Sequence, residues 1–154
     1  SLPYAEDFDD LSALAIEPVS GAWSFASGGI VTDGNANDTT PATTIVSLGD
    51  PLPDRARVSA TFNALAPVNG QGANAAIVFD YYSPNDYKIA SVDLINNGIN
   101  GQSSMAHMVN GVAINEKVAW APSDTGVDHT LSVLIEDGVA TLRIDGFKLI
   151  TARY

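Results

Sequence analysis

The chain has 154 residues, enough for one domain with a continuous core between two sheets. Its 18 acidic residues outnumber 7 basic ones, a net charge of −11 that repels phosphate backbones and anionic membrane surfaces and argues against nucleic acid as a partner. The absence of cysteine excludes disulfides and thiolate chemistry, and no apolar run is long enough to insert into a membrane.

In chain order, YAEDFDD predicts a short strand around Phe8, followed by a helical turn near Leu11 to Ile16. Trp23 to Phe25 and Gly29 to Thr32 read as a small hairpin with Trp23 packed in the core. Residues 33–41, DGNANDTTP, have no apolar periodicity and read as a polar loop before the strand in ATTIVSLG. RARVSATFNAL alternates, with Arg57, Ser59, Thr61 and Asn63 on a wet face and Val58, Ala60, Phe62 and Ala64 on a buried one. AAIVFDYY and DYKIASVDLI are joined by Ser83-Pro84-Asn85, whose proline presets the backbone of a turn. Asn110-Gly111, Asp137-Gly138 and Asp145-Gly146 then each separate two apolar runs, and such pairs readily take the positive φ angles of a tight hairpin. The expected fold is all-β, a two-sheet antiparallel sandwich, with Val58, Phe62, Ile77, Phe79, Ile89, Leu131, Val133, Leu142 and Ile144 buried. The chain starts abruptly at Ser1 and stops at Tyr154 straight after a strand, so residues 1–154 are read as a single domain excised from a longer polypeptide.

The order GAWSF, GGIV, RVSATF, AAIVFDYYSPNDYKIASVDL, VNGV and DHTLSVLIEDGVATLRIDGFKLI resembles the concanavalin A-like lectin/glucanase superfamily, in particular the laminin-G-like domains of bacterial extracellular proteins. The resemblance implies a jelly roll, a calcium site, and ligand binding by loops or by the concave face. It also raises hydrolysis, since glucanases of that superfamily carry Glu-x-Asp-x-x-Glu on one strand. Here Glu6, Glu17, Glu116 and Glu136 are the only glutamates, and none has that spacing. Asp80 with Asp93 on adjacent strands is the substitute pair to test against the separation of about 5 Å that retaining glycosidases need. His107, sharing a face with Met105 and Val109, and His129, opening a strand, belong to no nucleophile elbow or HExxH motif and read as packed residues.

Calcium is the cofactor to expect, because it takes oxygen ligands and Glu6, Asp7, Asp9 and Asp10 lie within five residues. In modules like those resembled, a structural calcium lies where the first and last strands meet, which implies Asp7, Asp9 and Asp145 as ligands. The loop at Asp33 to Asp38 is the alternative location. For ligand contact, Asp80, Tyr82, Asn85, Tyr87, Asn97 and Trp120 belong to the richest interleaving of aromatic and polar side chains, suited to stacking on sugar rings and bonding their hydroxyls. The expected function is therefore a non-catalytic, extracellular or cell-surface module that binds carbohydrate or protein beside flanking domains. A spacer in a modular adhesin and a glycan-active hydrolase are the alternatives.

Overall fold

A computed structural model describes residues 16–25, 29–32, 42–46, 53–64, 73–94, 101–121 and 124–154. The chain divides into two compact units, residues 1–51 and 52–154. The expected strand at Phe8, the turn from Leu11, and the polar loop lie outside the described residues.

The first unit contains β1 (Ile16–Ser20), β2 (Trp23–Phe25), β3 (Ile30–Thr32) and β4 (Thr43–Val46). β1 pairs with β4 and β2 with β3, both antiparallel. Gly21, at φ +80°, lets the chain turn hard against Ala42; a Cβ there would stand 2.6 Å from the Ala42 Cβ. Trp23 is half-buried rather than a core residue, because its indole N–H is held by the Ser20 carbonyl at 2.9 Å.

The second unit contains β5 (Arg55–Asn63), β6 (Ala73–Ser83), β7 (Asp86–Leu94), β8 (Gly101–Val109), β9 (Val112–Ala121), β10 (Asp128–Glu136), β11 (Val139–Ile144) and β12 (Phe147–Arg153). They form two four-stranded antiparallel sheets, ordered β12-β11-β10-β5 and β6-β7-β8-β9. One core serves both, which makes this unit a β-sandwich. Ile77, Phe79, Ala90, Val92, Leu94 and Met105 of one sheet pack with Leu131, Val133, Leu142, Ile144 and Ile150 of the other. Each buried aliphatic or aromatic side chain contributes roughly 1.5–3 kcal/mol. The Asn110-Gly111, Asp137-Gly138 and Asp145-Gly146 pairs all have positive φ at both residues, as the expected hairpins require.

Two burial expectations change. Ile89 faces away from the core, because Lys88, Ala90, Val92 and Leu94 take the inward positions of β7. Burying the face with Ser91 and Asp93 instead would have desolvated a hydroxyl and a carboxylate, so the apolar triplet wins the register. Lys88 is carried inward with it. On β5, Val58 and Phe62 are half-buried against the core while Ala60 stays exposed, as fits an edge strand with a neighbour on one side only.

Candidate functional site

Among the described residues, the β6–β7 hairpin contains the widest register break. Pairing runs evenly to Phe79 opposite Lys88 and resumes at Ser83 opposite Asp86, leaving Asp80, Tyr81 and Tyr82 against Tyr87 alone. Asp80 sits at φ 45°, a left-handed conformation that aspartate tolerates and that builds a bulge. Simple alternation would put Tyr81 on the inward face with Phe79. The bulge instead sends the Asp80 carboxylate to the Lys88 ammonium and sets Tyr81 against Tyr87, ring centroids 6.1 Å apart at 32°. Tyr82 beside them is 77% exposed.

Charged groups around the two rings are already matched. Lys88, its side chain 18% exposed, bonds Asp80 and lies 4.8 Å from the centroid of the Tyr154 ring, a cation–π contact. Tyr154 in turn packs edge-on against Phe79, and burial pushes its hydroxyl pKa up. His107 shares the inward face with Met105, as alternation required, and holds Asp86 at 2.7 Å. The Asn110 N–H donates to the Asn85 carbonyl at 2.8 Å, which fixes the β8–β9 turn beside the β6–β7 turn. The result is a pair of tyrosine rings on a braced hairpin, flanked by Asn85 and Tyr82, which offer amide and hydroxyl groups.

Tyr82, Asn85 and Tyr87 thus share one hairpin and Tyr81 joins them, whereas the Asp80 carboxylate is turned inward to Lys88, away from the rings. Trp120 does not join them: it lies opposite Gln102, whereas Tyr87 lies opposite Met108, six positions along β8, or about 20 Å. It is 65% exposed at the other end of its sheet. Asn97 is outside the described residues. The substitute carboxylate pair is also apart, since Asp93 faces Asn74, six positions and about 20 Å along β6 from Asp80.

Of the expected calcium ligands, Asp7 and Asp9 lie outside the described residues. Asp145 is engaged by protein groups. Its Oδ1 accepts the Thr130 N–H at 2.8 Å and its Oδ2 meets His129 Nδ1 at 2.8 Å, while His129 Nε2 meets the Asp124 carbonyl at 2.9 Å. A carboxylate and a carbonyl can only accept, so the two contacts are satisfied together only when both ring nitrogens carry a proton, and the site favours the imidazolium form. Burial pulls the His129 pKa down, but the bonds to Asp145 and to the Asp124 carbonyl, with the charges of both aspartates, outweigh it and leave it raised. Burial likewise pushes Asp145 up, but the bonds from His129 and Thr130 and the imidazolium charge bring it below its ordinary value. Both oxygens of Asp145 are thus engaged by the protein's own groups. Among the described residues, no group of three or more His, Cys, Asp or Glu side chains could hold a metal. Sequence reasoning missed the pairing although the signal was present: counting outward from the Asp137-Gly138 turn sets Thr130 opposite Asp145, with His129 adjacent. No protein-family model matches the chain, and no curated protein matches it significantly.

Proposed function

We propose that the chain is a non-catalytic carbohydrate-binding module of a secreted or surface-displayed protein, with Tyr81, Tyr82, Tyr87 and Asn85 as its contact. The observation that carries this reading is the bulge at Asp80. A left-handed non-glycine residue inside a strand costs of order 1–3 kcal/mol, and its effect here is to turn a second tyrosine out beside the first. Paired rings present C–H-binding faces at little entropic cost, and neighbouring amides and hydroxyls supply orientation. A jelly roll is the finer fold in this reading, supported by the way the β6–β9 meander is inserted between β5 and its sheet neighbour β10. Calcium belongs to it as well, held by Asp7 and Asp9 or by the Asp33 loop without Asp145. The first 51 residues contain eight acidic and no basic side chains, so nothing within that unit neutralises them.

The test is titration of the whole chain with a panel of neutral polysaccharides, followed by Tyr81→Ala and Tyr87→Ala. Each substitution is expected to weaken binding about tenfold or more, about 1.4 kcal/mol, with Trp120→Ala unchanged. Absence of binding, or affinity indifferent to both tyrosines, would overturn the proposal.

A further inference from the structure

The net charge of −11 conceals a local reversal. Every one of the seven basic residues lies in residues 52–154, where ten acidic residues leave a net charge of only −3. Five of those seven, Arg55, Arg57, Arg143, Lys148 and Arg153, share the outer face of the β12-β11-β10-β5 sheet. The register shows how. Arg55 and Arg153 end one cross-strand row, through Glu136 and Val139. Arg57 begins the next row, and Arg143 and Lys148 end the third. Rows about 7 Å apart on strands about 4.8 Å apart confine these five cations to a patch of about 14 Å by 14 Å.

Glu136 is the one carboxylate in those three rows, and it is already bonded to Arg55 at 3.2 Å. Among the described residues no carboxylate pairs with Arg57, Arg143, Lys148 or Arg153. Two shallow depressions lie on the face and meet at Leu134, one bordered by Arg55 and Arg57 and the other by Arg153 together with the carboxylates of Glu136 and Asp137, so the Arg57 side is the one open to an anion. The remaining positions in the rows are Ser59, Ser132, Thr141, Val139 and Thr151, of which the Thr151 hydroxyl is buried and the other three hydroxyls are left for a ligand.

We infer that this face is a binding site for an anionic polysaccharide, whose carboxylate or sulfate groups are held by Arg57, Arg143, Lys148 and Arg153. Guanidinium groups grip such oxyanions bidentately, and the hydroxyl side chains between them match a polyhydroxylated chain. No aromatic ring stands in the three rows, so nucleic-acid bases have nothing to stack on. Leu134 and Val139 provide too little apolar surface for the buried centre of a protein interface. The site is separate from the tyrosine hairpin and independent of it.

Binding of the whole chain to heparin, to a polyuronate, to a neutral glucan and to single-stranded DNA, at low and at physiological ionic strength, tests the inference. Heparin or the polyuronate is expected to bind in preference to the glucan and the DNA, with affinity falling as salt rises. Binding of heparin alone assigns sulfate, of the polyuronate alone carboxylate, and of both the shared oxyanion chemistry. Arg57→Gln with Arg143→Gln is expected to lower affinity at least tenfold and flatten the salt dependence, while Tyr81→Ala changes neither. Lys148→Gln provides a milder variant at a fully surface-placed position, with thermal melts confirming the fold of each. The inference fails if neither anionic glycan binds at low salt, if DNA binds as tightly as they do, or if the arginine variants bind like the parent chain.

Discussion

Replacing Asp145 by Asn tests a polar arrangement in which both carboxylate oxygens and both His129 ring nitrogens are engaged. Asparagine tolerates the φ of 48° at this position and can still accept the Thr130 N–H, so the turn survives and the charge alone is lost. A hydrogen bond to a charged group contributes about 1.5–3 kcal/mol, but the Asp145 side chain is 44% exposed and solvent screening brings this to about 1–2 kcal/mol. At roughly 4 °C per kcal/mol for a unit of this size, the melting temperature near pH 6 should fall by about 4–8 °C. The difference must also depend on pH. His129 titrates higher in the folded chain than its ordinary 6.5, so its contribution is complete below that pH and is lost as pH rises through the folded value. Asp145 titrates below its ordinary 3.8, so its contribution is present above that pH and is lost as pH falls through the folded value. The parent chain should therefore gain most over Asp145→Asn between about pH 4 and 6.5, and the two melting curves should converge as the medium becomes alkaline. Thermal melts across that range, paired with nitrogen-detected NMR of the His129 ring, provide the assay. A neutral His129 tautomer at pH 6, or a melting difference that does not vary with pH, would refute the argument.

The core, the Lys88 ion pair, the Gly21 turn and the cation proposal each have their own test. Leu142→Ala, at a fully buried position, should cost about 3–5 kcal/mol in denaturant unfolding of the second unit, and a loss under 1 kcal/mol would mean the site is not packed as described. Asp80→Ala strands a mostly buried ammonium and should cost about 2 kcal/mol, whereas Lys88→Met leaves a partly hydrated carboxylate and should cost less; the reverse order in chemical denaturation would disprove the account. Gly21→Ala must displace Ala42 and should abolish protection of the first unit in hydrogen exchange, while Gly111→Ala meets no atom within 4 Å and should cost only the backbone strain of about 1–2 kcal/mol. Calcium should raise the melting temperature and excess chelator lower it, in the parent and in Asp145→Asn alike; a midpoint indifferent to both refutes the cation, and a shift confined to the parent returns Asp145 to its ligand set.

Strand positions and turns were legible in the amino-acid sequence because they depend on neighbours. Alternation in RARVSATF and the Asn-Gly and Asp-Gly pairs specify local backbone, and β5 and the three hairpins formed where those signals stood. Which face of a strand is buried is another matter. β7 offers an apolar residue on both faces, and only the opposing sheet selected Ala90, Val92 and Leu94, turning Ile89 outward and Lys88 inward. The Asp80 bulge was equally invisible, since it arises from fitting an unequal number of residues between two paired positions. Charge gave the plainest contrast. The sum of −11 is a property of the sequence, but five cations spread from position 55 to position 153 become one patch only after β5 is laid beside β10 and β10 beside β11 and β12. Electrostatic attraction depends on distance between charges, and those distances are set by lateral strand order, which no stretch of neighbouring residues contains.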